Sequence, residues 1–178
     1  MVDVVLDEDG FLIQQELAGA IDVGLRYRLE PSGGLLADMI FIARNTVEGQ
    51  QGRPADAVGV TAATWNRWMS HARGIKGTRP SAESRVKIAR GVRLGIARHW
   101  HVMNPSRAEV TARVNWNGYY NPIENRTVKL DGLNLQQVIT QFAYGSYLGM
   151  ESTFHDAVKD RYGVPVIFTE VESVDFYR

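Results

Sequence analysis

The chain has 178 residues, 17 of them aromatic, and no cysteine, a composition that supports a packed core and excludes disulfide frameworks, thiolate metal sites and cysteine nucleophiles. Its zero net charge hides a segregated distribution: residues 1–59 carry four basic and ten acidic side chains, residues 60–113 eleven and two, and residues 114–178 five and eight. A central third this basic favours contact with a polyanion, since each neutralised phosphate releases condensed counterions, over the alternative of a merely solvated helix face.

Residues 1–30 begin with Asp3, Asp7, Glu8 and Asp9, unlike the positive start of a signal peptide, and nowhere does an apolar run reach the roughly 20 residues that cross a bilayer. The expectation is a cytoplasmic, nucleoid-associated protein without a membrane partner, whose first 30 residues form an N-terminal arm of unknown role. After Pro31-Ser32-Gly33-Gly34, the residues Leu35, Leu36, Met39, Ile40, Ile42 and Ala43 recur near helical period. They predict the first helix of a small bundle, followed by a loop over Thr46 to Gly52. A short helix fits Pro54 to Val58, with proline at the first helical position, and Gly59 supplies a turn. Thr61 is placed to cap a new helix from Ala62 to about His71, with Trp65 and Trp68 on its buried side. Ala55, Gly59, Val60, Trp65 and Trp68 thus stand where a helix-turn-helix needs a small packing residue, a turn glycine and three core contacts. His71 to Pro80 reads as a basic loop whose glycines allow close backbone approach. Pro80 is expected to open a helix reaching about Trp100, with Val86, Ala89, Val92, Ile96 and Trp100 as its apolar face; Gly91 and Gly95 fit close helix packing.

From Pro105 the pattern changes. Val110 to Trp116 alternates, Asn117-Gly118 and Asn121-Pro122 are turn signals, and Thr127 to Leu130 reads as a second strand. Asn134 with Gln137 suggests a capping box before a helix striped by Leu135, Val138, Ile139 and Phe142. A second helix fits Ser152 to Tyr162, ended by Gly163, and Val164 to Phe176 reads as a closing strand. The predicted class is α+β: a helical helix-turn-helix domain over residues 31–104, then a small β-β-α-α-β domain over 105–178 for priming, partner binding or dimerisation.

Within this frame Thr61, Ala62, Ala63, Asn66 and Arg67 are the candidates to approach DNA bases, with Asn suited to adenine and Arg to guanine in the major groove. His71, Arg73, Lys76, Arg79 and Arg85 are the candidates to hold phosphates. His99 and His101 lack the neighbouring carboxylates or cysteines of a metal site, no Walker-type loop or dinucleotide fingerprint is present, and Glu170, Glu172 and Asp175 read better as solvated strand residues than as metal ligands. No metal and no cofactor of its own is expected.

The order of Val60-Thr61-Ala62-Ala63-Thr64-Trp65-Asn66-Arg67-Trp68, Arg79-Pro80, Arg98-His99-Trp100, Asn117-Gly118-Tyr119-Tyr120 and the closing Val166 to Phe176 resembles the telomere terminal proteins of bacterial linear chromosomes and plasmids, over roughly residues 35–178. The resemblance implies a protein covalently attached to 5′ DNA ends, which offers a side-chain hydroxyl as primer for end synthesis and so acts as a nucleotidyl acceptor rather than a catalyst. Tyr120 stands opposite the threonine of that family's Gly-Tyr-Thr pattern and is the implied priming residue, with Tyr119 the runner-up. A phenol with a pKa near 10 needs a base or metal supplied from elsewhere, so a DNA polymerase bringing its own metal ions is the implied partner, beside a telomere-associated protein. Two alternatives stand beside this: Tyr119 and Tyr120 as hairpin aromatics packed across strands, and the whole chain as a transcriptional or plasmid-maintenance regulator, a homodimer on an operator with a C-terminal dimerisation or effector domain.

Overall fold

Gly59, Gly74, Gly145 and Gly163 all adopt positive φ between helices or at helix ends, and such punctuation divides the chain into short elements. A computed structural model describes residues 5–6, 12–13, 15–116, 125–131, 134–164 and 166–177. Among them the order is β1 (Val5–Leu6), β2 (Leu12–Ile13), α1 (Gln15–Arg26), α2 (Leu35–Asn45), α3 (Val47–Gln50), α4 (Pro54–Ala57), α5 (Ala62–Ala72), α6 (Ala82–Met103), β3 (Arg107–Trp116), β4 (Asn125–Asp131), α7 (Asn134–Tyr144), α8 (Tyr147–Tyr162) and β5 (Val166–Tyr177). The class is α+β and mostly helical. No helix among the described residues is long and apolar enough to cross a membrane.

The contacts divide into two units. One comprises Arg28–Val102 with Ala143–Gly145, the other Met1–Tyr27, Met103–Phe142 and Ser146–Arg178. In the helical unit, α2 buries Met39 and Ile42, and α4 and α5 bury Ala55, Ala57, Trp65 and Trp68. Thr46 is both the C-cap of α2 and the N-cap of α3: its hydroxyl donates to the Ile42 carbonyl at 2.7 Å and accepts from the Gly49 amide at 3.0 Å. That double use turns the stretch expected as a loop into a corner with its own short helix.

The long helix α6 starts later and faces differently than its sequence suggests. Pro80 is buried just outside it, and Ser81 caps it by accepting from the Ser84 amide at 3.2 Å. Val86 and Ala89 are exposed, and the buried stripe is Ile88, Gly91, Val92, Gly95 and Ile96. The phase is set by the glycines. A Cβ on Gly91 would stand 2.7 Å from Val58 Cγ1 and 2.9 Å from Ile42 Cδ1, and one on Gly95 2.7 Å from Phe41 Cε1, so this helix packs where it has no side chain at all.

In the other unit three antiparallel strands pair in the order β4-β3-β5. Ala108, Val110, Ala112 and Val114 alternate inward on central β3, with Val128 and Leu130 from β4 and Val166, Phe168 and Val174 from β5. Thr169 to Ser173 of β5 spans only Thr111 to Arg113 of β3, and within that bulge Glu170 takes φ 50°. Phe154 of α8 meets Phe168 edge-on at 6.2 Å.

Two expectations are corrected in this unit. The arm predicted over residues 1–30 is, for residues 15–26, a core helix: Leu17, Ala18, Ile21 and Leu25 are fully buried, and α1 packs on β5 and α8. Their spacing of one, three and four residues is helical, but the surrounding acids and glycines mask it. Helix α8 begins at Tyr147 rather than Ser152, because Ser146 caps it by accepting from the Gly149 amide at 3.1 Å.

Candidate nucleic-acid interface

Backbone bonds around Ala55 and Gly59 join α4, the turn after it and α5. The Val58 and Val60 amides both reach the Ala55 carbonyl, at 3.3 and 3.1 Å, and Gly59 turns the chain at φ 66°. Thr61 then caps α5, accepting from the Thr64 amide at 3.2 Å. The buried hydrophobe of the turn is Val58; Val60, expected in that role, is half-exposed. The chain reverses at Gly59, which leaves Val58 on the inner side.

Trp65 and Trp68 are each 5 % exposed, and this decides which way α5 faces. Thr61, Ala62, Ala63, Asn66 and Arg67 all lie exposed on the opposite surface. The Arg67 guanidinium is steered along that surface, since its Nη2 donates to Thr64 Oγ1 at 3.2 Å, and the Thr64 hydroxyl in turn lies 3.0 Å from Thr61 Oγ1. This Thr61-Thr64-Arg67 chain was not anticipated from the sequence, although the spacing of three residues is the signal for it.

The end of α5 is a Schellman motif: the Gly74 amide bonds the His71 carbonyl and the Ile75 amide the Ser70 carbonyl, both at 2.9 Å, with Gly74 at φ 74°. The loop that follows folds back on its own helix. Gly77 lies so close to the Arg67 carbonyl and the His71 amide that a Cβ there would overlap both. The predicted basic loop is therefore tied to α5 at both ends of its glycine pair.

Arg73, Lys76, Arg79 and Arg85 are exposed, and none forms an ion pair among the described residues. His71, half-buried, lines one cleft with Arg79 and Arg85; Arg73 and Lys76 stand apart from it. Not every arginine of the basic stretch is turned outward. Arg98 is half-buried and its Nη1 donates to the Thr46 carbonyl at 2.9 Å, and the Arg93 guanidinium packs on Gly145. Lys87 spends its charge on Glu83 at 3.5 Å. On the sheet Glu170 pairs with Arg113 at 2.8 Å.

Tyr119 and Tyr120 lie outside the described residues. Among the described residues no group of three or more metal-ligating side chains comes together. No protein-family model, no curated protein and no solved structure matches the chain.

Proposed function

We propose that the chain binds duplex DNA with α5 as the recognition helix, and that it does so at the ends of linear replicons as a terminal protein. The observation that carries the DNA reading is the two-sidedness of α5. Its inner face is anchored by two buried tryptophans, and its outer face offers short side chains, one amide and one guanidinium before a run of uncompensated cations. Ala62 and Ala63 let the helix lie deep in a major groove, Asn66 and Arg67 have the donors to read adenine and guanine edges, and Arg73, Lys76, Arg79 and Arg85 neutralise phosphates alongside.

The end-specific part rests on the ordered resemblance to telomere terminal proteins and assigns the priming hydroxyl to Tyr120, with the metal ions of a partner polymerase making its oxygen nucleophilic. Two measurements test the two levels. Fluorescence anisotropy against a selected duplex at several salt concentrations should give a steep inverse salt dependence; absence of binding at low salt removes the DNA reading. Nuclease digestion of DNA ends recovered from cells, followed by mass spectrometry, should leave nucleotide on Tyr120. Protein that carries none, and footprints on palindromic operators instead, is a regulator.

A further inference from the structure

The cleft lined by His71, Arg79 and Arg85 has a volume of about 500 Å³, within the range of small-molecule sites. Its walls come from separate parts of the helical unit: the start of α2 at Gly34, Leu35 and Asp38, the end of α5 at His71, the loop at Arg79, and the first turns of α6 at Arg85, Ile88 and Ala89. A phosphodiester on a duplex carries one charge and two free oxygens, and it is held by cations on an open surface. A phosphomonoester carries between 1.5 and 2 negative charges, in round terms about two, and three acceptor oxygens. Two arginines and a histidine lining one concavity offer the charge and donors to match the second set. The α2 terminus adds to it, because its cap, Gly34, brings no side-chain acceptor to the first-turn amides. Ile88 and Ala89 give the lining an apolar part for a sugar or base. Asp38 is the one carboxyl among the lining residues; burial, then the Glu30 carboxylate, raise its pKa.

We propose that this cleft binds a phosphomonoester of nucleotide size, either the terminal phosphate of a DNA strand or a free mononucleotide. The first source rests on the DNA-binding reading above; the second does not. The test compares one duplex in three forms, with 5′-phosphate ends, with 5′-hydroxyl ends, and closed by hairpin loops at both ends. Alongside, melting of the protein is followed with a deoxynucleoside monophosphate and with the matching unphosphorylated nucleoside. The discriminating variant is Ala89→Phe, which adds bulk to the apolar part of the lining from an exposed helix position without removing a charge.

If strand ends are the source, the 5′-phosphate duplex binds about tenfold tighter than the other two, the worth of one charge-assisted hydrogen bond, and A89F abolishes the difference. If free nucleotide is the source, the three duplexes bind alike, and the monophosphate raises the melting temperature while the nucleoside does not; A89F abolishes that rise. The proposal is overturned when the unsubstituted protein shows neither effect, or when a folded A89F protein retains whichever effect is seen. The nucleoside control is read on the unsubstituted protein, so it decides even where A89F fails to fold. Loss of all duplex binding with nucleotide binding retained would remove the DNA reading and leave the cleft standing.

Discussion

Gly24 of α1 lies against the backbone carbonyl of Val174 in β5, so near that a Cβ at this position would overlap the oxygen. The helix is seated on the strand through this missing side chain, and Val174 is itself buried beneath it. Gly24→Ala cannot be accommodated by a rotamer change, because the obstacle is backbone. It should cost about 3 kcal/mol, the upper part of the usual range for overpacking, read as a fall in the urea midpoint. Gly19, on the same helix, has nothing within 4 Å of its Cβ direction. Gly19→Ala should therefore leave stability unchanged or raise it by up to about 1 kcal/mol. Equal effects from the two would mean that α1 does not sit on β5 as described.

Arg67 and the loop cations should fail in different ways. Arg67→Ala is expected to cost about 1–3 kcal/mol on the preferred site and to relax discrimination at one base position. Arg73→Ala or Lys76→Ala should weaken all duplexes alike and reduce the salt slope by about one. Thr64→Val, which takes away the hydroxyl that holds Arg67 Nη2, should reproduce part of the first pattern and none of the second. Anisotropy titrations on matched and mismatched duplexes separate them; a uniform loss for Arg67→Ala would place α5 outside the groove.

Gly77→Ala keeps every charge but pushes the loop off the Arg67 carbonyl and His71 amide. Binding should fall severalfold, on the order of 1 kcal/mol, with the melting temperature changed by only a few degrees. Full affinity in this variant would show that the loop's position on α5 does not matter to DNA contact.

A phenol covers the middle of the β4 edge. The Tyr162 hydroxyl accepts from the Lys129 amide and donates to the Lys129 carbonyl, each at 3.0 Å, so one side chain satisfies the two backbone groups of Lys129 on the side away from β3. Tyr162→Phe should cost about 1 kcal/mol and leave a short unpaired edge, a template for strand pairing between copies. Sedimentation at increasing concentration should detect the self-association; a variant that stays monodisperse at unchanged stability would mean the phenol is not protecting the edge.

The succession of α4, turn and α5 was legible because its signals are local. A proline at a helix start, a turn glycine, a capping threonine and two tryptophans three residues apart each constrain only their own neighbours. The order β-β-α-α-β was legible for the same reason, through alternation, turn residues and the glycine at position 163. The face of α6 was not. Val86 and Ala89 continue an apolar stripe that the fold leaves exposed; Gly91 and Gly95 do pack closely, as their presence suggested, but which partners they meet is set only when Phe41, Ile42 and Val58 from distant segments arrive against them. The reading of residues 1–30 as an arm failed likewise, because what makes α1 a core helix is a strand 150 residues later.

Charge shows the same division. That residues 60–113 carry eleven cations and two acids is a property of the chain in any conformation. Which of those cations face outward depended on folding: Arg98 is drawn to the Thr46 carbonyl and Arg93 to the turn at Gly145, whereas Arg79 and Arg85 are exposed and line one cleft with His71. Composition and local propensity act over a few residues and are written along the chain. The direction of a side chain and the shape of a cleft come from segments far apart in sequence that exclude the same water, and they exist only once those segments have packed.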